Sequence, residues 1–419
     1  MEKAVKQNEA PEASQKGIPY WIKIVTVFFL GWIALYATRA ILNPIMGNIE
    51  QEFNLSGAQL GLISSIFFIG YAGMNVPSGI LGDKIGKKKV LIPGFIMFGI
   101  LAAVTGFMPS FALFMFAWLL VGIFQGFYYG PQYGLSSEAI PAKHITVGSA
   151  IINSGMAFGL SLGYFISSYT VDTLGMSWRT PFYVIAIPVV LIGLAMWWVI
   201  KDKPKTAQQK ASENGGQKLR AKDLFSKNLI FAYITIFCAI YAFFVVVTWI
   251  PYYLQHARGI EGTEVAVVSS LVPWAAIPGS ILFSWVADRM GKRRPVLLIM
   301  IPLSIIAIVS IVAFDSMYVL YAALIGYGIF GKISTNPVLV AVVADNAPKH
   351  ALGTAFGVYN FIGMCGSILA PYITGWLTDK TGTLNAGFYF AGVLLLVALI
   401  SVMFIKEDNR PNVEGAVAK

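Results

Sequence analysis

The sequence predicts an all-α integral membrane protein with twelve transmembrane helices in two pseudo-symmetric six-helix halves. Three observations carry that expectation. Hydrophobic residues make up 57% and charged residues 12% of the 419 positions, against roughly 45–50% and 25% in a soluble domain. So few charges cannot clothe a soluble surface of that size. Twelve stretches of about 20 apolar residues follow one another. A charged motif then recurs about half a chain length after its first copy.

The first six spans read as 21–46, 58–82, 90–108, 111–134, 146–170 and 180–200. The second six read as 229–254, 263–286, 296–313, 317–344, 351–377 and 385–405. Each is continuously apolar and about twice as long as the alternating strand of an outer-membrane barrel, which excludes that architecture. The first span reads as a retained helix and not as a cleaved leader: it is long, and no small-residue cleavage site follows it. The 41 Gly and 20 Pro suit membrane helices, where small residues allow close packing and neighbours satisfy backbone groups freed by proline. Cys238 and Cys365 lie inside apolar runs, so no disulfide framework is expected. The three His are dispersed, and no metal site or cofactor is expected.

The charges give the topology. Of the 30 Lys and Arg, 25 lie in the N-terminus through Lys23, 84–89, Lys143, 201–227, 289–294, Lys349 and the C-terminal tail. The opposite loops hold Arg179, Arg258 and Lys380. By the positive-inside rule both termini and the central loop are cytoplasmic, in a bacterial-type inner or plasma membrane. The net charge of +10 is read as this topology signal and not as nucleic-acid binding. The expected organisation is a cytoplasmic tail 1–20, a half 21–200, a polar linker 201–228, a half 229–405 and a tail 406–419.

The repeated motif reads Gly79-Ile-Leu-Gly-Asp83-Lys-Ile-Gly86-Lys87-Lys88-Lys89 after the second span. After the eighth it reads Ser284-Trp-Val-Ala-Asp288-Arg-Met-Gly291-Lys292-Arg293-Arg294, 205 residues later. Asp, Gly and three cations recur in register. The Asp can pair with cations or a helix N-terminus, and the Gly permits a tight turn. Such a cluster can latch one face and release it. The plainer reading is a set of positive-inside anchors, but two matching copies favour a latch. On this motif the chain resembles the major facilitator superfamily over roughly residues 20–405. That resemblance implies two six-helix halves, a central cavity and alternating access.

Charge inside hydrocarbon is expensive and marks function by default. Two deep charges stand out, Arg39 in the first span and Lys332 in the tenth, and no Asp or Glu lies well inside any span. A buried cation without a carboxylate calls for an anion, which the substrate supplies. Arg offers a planar fork for carboxylate or phosphate, and Lys a point charge. Helical spacing gathers polar neighbours: Tyr36, Arg39 and Asn43; Tyr71 and Asn75; Gln125, Tyr129 and Gln132; and Gly328, Lys332 and Asn336 beside Pro337. Asn153, Tyr241, Trp249, Tyr359 and Asn360 join them, with Tyr128 as a further wall. Any one of these also suits helix–helix contact; as a set they read as a polar site with aromatic walls. Gly130–Pro131 and Asn336–Pro337 are expected places for bending.

The sequence also resembles the organic-anion branches of the superfamily, the organophosphate:phosphate exchangers and the anion:cation symporters. The matching stretches are Thr38-Arg39-Ala-Ile-Leu-Asn43, Leu60-Gly-Leu-Ile-Ser-Ser-Ile-Phe-Phe-Ile-Gly-Tyr71 and Gly122-Ile-Phe-Gln125-Gly126. The resemblance implies that Arg39 grips the anion. The symporters carry an Asp and a Glu where this chain has Thr38 and Gln125, neither of which holds a proton. The exchangers carry a Gln that agrees with Gln125. They also carry a fifth-span His, where this chain has Met156, and a seventh-span Arg that is missing here. The expectation is therefore a carrier of a small organic anion (carboxylate, sugar acid or phosphate ester) by alternating access, as exchanger or facilitator. It works as a monomer in the lipid bilayer, with a counter-anion or proton as a further partner and no nucleic acid. The alternatives are an efflux carrier for neutral or lipophilic compounds, a symporter with atypical coupling residues, and a non-transporting sensor. No nucleophile–base pair or nucleotide loop suggests an enzyme.

Overall fold

The computed structural model describes residues 18–141, 144–201, 224–347 and 352–407. Most of the two tails, most of the linker, Lys143 and Lys349 lie outside the described residues. Among those described, twelve helices are long and apolar enough to cross a membrane. We number them α1 (Tyr20–Phe53), α2 (Gly57–Ile85), α3 (Lys87–Gly106), α4 (Phe111–Ala139), α5 (Ile145–Ser167, prolonged by a wider turn Ser168–Thr173) and α6 (Thr180–Val199). The second half contains α7 (Lys227–Arg258), α8 (Thr263–Met290), α9 (Arg294–Ala313), α10 (Met317–Asn346), α11 (Leu352–Thr381) and α12 (Asn385–Met403).

Most helices outrun the spans read from hydropathy. α1 continues to Phe53, α4 to Ala139, α7 to Arg258 and α11 to Thr381. Hydropathy ends a span at its first polar residues, whereas backbone hydrogen bonding carries the helix past them. Starts are capped where the sequence allows it. Ser56 and Gln59 form a reciprocal capping box at α2, and the Ser110 hydroxyl accepts from Leu113 N–H at α4. Both motif glycines turn the chain at positive φ, Gly86 at 109° and Gly291 at 62°, conformations that a side chain disfavours.

Helix breaks do not coincide with the prolines expected to permit bending. α4 runs unbroken through Pro131, and α10 is helical through Pro337. Instead α1 is interrupted at 41–45, where Pro44 lies in a short 3₁₀ turn. α8 is broken at Ser270 and α10 at the extended Gly331.

Glycines set the helix spacing in the same way in both halves. A Cβ on Gly122 of α4 would lie 2.2 Å from the Phe67 carbonyl oxygen of α2. A Cβ on Gly328 of α10 would lie 2.4 Å from the Val272 carbonyl oxygen of α8. Neither contact admits a side chain.

Twelve spans return the chain to the face it left, so the beginning of α1 and the end of α12 share one face, the terminal face. Lys201 N–H donates to the Tyr20 hydroxyl and Lys406 N–H to Asn228 Oδ1, joining helix ends there within each half. The halves meet at the far face. Gly57 and Gly375 touch backbone to backbone, and Asp379 accepts from Gly57 and Ala58 N–H at 2.6 and 2.8 Å. Tyr252 donates to Glu50, and Asn43 and Tyr164 both donate to the Val247 carbonyl. Among the described residues, the hydrogen bonds between the halves lie on the far side or at mid-depth.

Candidate functional site

Arg39 stands in the last turn of the first segment of α1, just before the break at 41–45. Because α1 runs on to Phe53, Arg39 is deep in its span and not near an end from which it could reach water. Its Nε donates to Gln125 Oε1 at 2.6 Å, and Gln125 Nε2 donates to the Leu35 carbonyl at 3.2 Å. That second bond fixes which way the Gln125 amide faces. The guanidinium lies against a box of rings, 4.3 Å from the Tyr71 centroid, 4.9 Å from Tyr36, 5.4 Å from Phe67 and 5.6 Å from Phe68. Its Nη2 is buried without a hydrogen-bond partner. An unsatisfied buried group of this kind costs on the order of 1–3 kcal/mol, more when charged.

A cavity of about 30 Å³ opens beside it, lined by Tyr36, Arg39, Asn43, Ser64, Phe67, Phe68, Trp118, Phe243, Phe244, Thr248 and three aliphatic side chains. It lies between the halves, for Phe68 of α2 meets Phe244 of α7 edge to face at 4.6 Å. The Asn43 amide is spent on the Val247 carbonyl across that seam. The Ser64 and Thr248 side chains and the Arg39 guanidinium, whose buried Nη2 lacks a partner, are the polar part of the lining.

Lys332 is the first residue of the second α10 segment, after the break at Gly331. Its Nζ lies 5.6 Å from the centroid of Phe243, the ring that also walls the Arg39 cavity. Neither Arg39 nor Lys332 belongs to any of the ion pairs formed by the described residues.

Of the residues read from the sequence, the structure gathers Tyr36, Arg39, Asn43, Tyr71 and Gln125 into one cluster. Further polar pairs form in each half, and Trp32 packs on both Tyr36 and Tyr129. The Tyr133 hydroxyl donates to Asn153 Oδ1 at 3.3 Å, with Tyr129 stacked at a tilt on Tyr133. The Tyr359 hydroxyl donates to Asn336 Oδ1 at 3.1 Å. Asn75 has a buried amide oxygen without a partner, and Asn360 is half-buried.

Three expectations need correction. Tyr241 packs inside its own half against Phe237 and Phe390, not on the cavity. Trp249 is buried edge-on to Tyr252, away from the cavity lining. Tyr128 is fully buried between Phe28 and Phe95, its hydroxyl on the Phe28 carbonyl, so it forms no wall. Helical spacing names the face of a helix, and only packing says what that face meets.

The rings that matter most, Phe67, Phe68, Phe243 and Phe244, were missed, because phenylalanine in an apolar span carries no signal of its own. One available signal was overlooked. Gly122-Ile-Phe-Gln125-Gly126 and Gly328-Ile-Phe-Gly331-Lys332 match 206 residues apart, with Pro131 and Pro337 in the same register. Gln125 and the Gly331–Lys332 break are thus equivalent places in the two halves.

At the terminal face the motif charges pair within their own halves. Lys87 bonds Glu138 at the end of α4, a partner not foreseen. Lys88 lies over Trp197. Asp288 accepts from Arg293 at 2.8 Å, and Arg293 also approaches Asp345 at 3.9 Å. Glu407 Oε1 accepts from the N–H groups of Arg293 and Arg294, capping α9. Asp83 is exposed. Among the described residues no ion pair crosses between the halves here, and none involves Lys89 or Lys292.

Comparison with known proteins fits this architecture. The model of the Major Facilitator Superfamily matches residues 28–262 and 233–418. The probable galactarate/D-glucarate transporter GarP of Escherichia coli K12 is 26% identical, over 95% of this chain and 97% of its own. The probable sulfoacetate transporter SauU of Cupriavidus necator is 27% identical, over 91% and 93%. A bacterial homolog of the human lysosomal transporter Spinster, solved in an inward-facing, unoccupied conformation, shares the fold at TM-score 0.71 and 16% identity, over 93% of this chain and 95% of its own.

Proposed function

The chain belongs to the Major Facilitator Superfamily, a family of transporters, and from that premise we propose that it carries a small organic anion across the membrane by alternating access. The observation that supports this reading is the Arg39 guanidinium. It is held by a neutral amide, walled by rings, keeps a buried Nη2 without a hydrogen-bond partner, and belongs to a side chain that lines a cavity between the halves. A site built this way lacks only a negative charge. Relatives named as carriers of galactarate or D-glucarate and of sulfoacetate support an organic acid as cargo.

The mechanism follows from the parts. The anion enters from the terminal face, where no hydrogen bond or ion pair among the described residues joins the halves, and binds Arg39 and Lys332. Gln125 orients Arg39, and the hydroxyls and amides receive the rest of the molecule. Neutralising the two cations lowers the cost of closing a low-dielectric cavity around them. The halves, 21–200 and 229–405, then rock about the site. The excess of Lys and Arg makes the terminal face cytoplasmic in a bacterial-type plasma membrane. The carrier works as a monomer. With Gln125 and Thr38 in place of acids, it works as an exchanger or facilitator.

Uptake of labelled organic acids into vesicles tests this. Arg39→Ala and Lys332→Ala each reduce uptake to background while the purified variants keep a cooperative thermal transition. Full uptake by both sinks the site. Stabilisation by neutral compounds alone, unchanged in the variants, turns the reading to efflux. The motif loops are read as the cytoplasmic latch. Asp83→Asn accordingly slows turnover more than it weakens binding, and equal effects on the two argue against a latch.

A further inference from the structure

Resting on the reading that Arg39 and Lys332 bind the cargo, we infer that the cargo is a dianion, with two acid groups at opposite ends of a short spacer. The argument is a count of charge at the site and a placement of it. Arg39 lines the cavity between the halves, and Lys332 lines a small pocket within the second half with its Nζ 5.6 Å from the Phe243 ring that walls the first cavity. Neither is in an ion pair. Every described Asp and Glu lies near a helix end or in a loop, so no acid side chain of the core offsets them. Closing the cavity removes water from both cations, and a desolvated unpaired ion costs several kcal/mol. A monoanion leaves that cost standing at one cation. A dianion removes it at both.

The placement argues for two separate acid groups and not one shared group. Arg39 is fixed by Gln125 and by rings of the first half, with Nη2 as a buried donor without a partner. Lys332 is held from the second half, at the start of a helix segment whose positive end adds to its charge. Phe243 is common to both, as a wall of the Arg39 cavity and as the ring near the Lys332 ammonium. A molecule that reaches both cations passes this ring. One cation on each half also means that a two-headed cargo draws the halves together, and a one-headed cargo does not.

The test is equilibrium binding to the full-length protein in detergent, with acids paired by carbon skeleton: succinate with butyrate, adipate with hexanoate, glucarate with gluconate. In wild type at least one dianion binds about tenfold to a hundredfold more tightly than its monoanion partner, the size of one charge-assisted bond in a buried site. Lys332→Met abolishes that preference while the purified variant keeps a cooperative thermal transition, which shows that it is folded. Lys332→Arg retains the preference. Equal affinity within every pair, lost in Arg39→Ala, overturns the dianion inference and leaves the anion reading intact. Equal weakening of both members by Lys332→Met also overturns it, because the two cations then share one head group. Binding of no anion, or anion binding indifferent to Arg39→Ala, overturns the parent reading and this one together.

Discussion

The two halves use one scaffold for opposite ends. Gly122-Ile-Phe in α4 and Gly328-Ile-Phe in α10 seat their helices against α2 and α8 through the same glycine-to-carbonyl contact. After that shared stretch they diverge. In α4 the helix continues, and Gln125 stands inside it as a fixed acceptor for Arg39. In α10 the equivalent place is Gly331, where the helix breaks and Lys332 begins a new segment. One half therefore holds its cation by a side-chain hydrogen bond, while the other sets its cation at a helix start over one ring. The backbone spacing is common to both halves, and the few residues after it decide whether the charge is gripped or free.

That contrast can be broken from either side. The largest effect is expected at the gripped cation: Arg39→Ala lowers anion affinity by about 2–5 kcal/mol, the range for removing one partner of a buried charged pair, and by more than Lys332→Ala does. Titration of the two variants with one acid checks the order. Next comes the far seam that both halves share. A Cβ on Gly375 would lie 1.9 Å from the Gly57 carbonyl oxygen, so Gly375→Leu prevents the seam from closing. A cysteine placed at Thr248 then becomes reachable by an impermeant reagent from the far face, and protection as in the parent protein refutes this.

A smaller effect is expected at Gln125. Gln125→Leu keeps the volume and removes the acceptor, leaving Arg39 Nε unsatisfied at a cost of about 1–3 kcal/mol. Anion affinity falls, with little change at Lys332. The smallest is Asp379→Asn. It keeps an acceptor oxygen for the α2 N-terminus but loses the charge, worth about 0.3–1 kcal/mol against the helix dipole. The far face opens somewhat more often, read as a few-fold faster labelling of the same cysteine.

The seam and the motif loops make a second contrast. At the far face, glycine backbones touch and Asp379 caps α2 across the halves. At the terminal face, Lys87–Glu138 and Arg293–Asp288 stay within their halves. The motif was legible because its charges are spaced by sequence. The seam was not, because Gly57, Gly61 and Gly375 are unremarkable in a chain with 41 Gly, and their contacts arise only when α2 and α11 pack.

The same distinction runs through the site. The sequence by itself determined the twelve spans, the repeat and the two unpaired cations, because hydrocarbon makes apolar length and buried charge unambiguous signals. It named Tyr36, Asn43, Tyr71 and Gln125 as neighbours of Arg39 because helical spacing puts Tyr36 on its face and polar residues are scarce in such spans. Tertiary structure alone decided that Gln125 and not a carboxylate holds Arg39, and that Tyr241, Trp249 and Tyr128 turn away from the cavity. It also decided that Phe243, a wall of the Arg39 cavity, lies near the Lys332 ammonium, and that the hydrogen bonds between the halves, among the described residues, lie on the far side or at mid-depth. Those outcomes depend on which helices touch and where they break. Both are set by close packing between residues far apart in the chain, which no local pattern encodes.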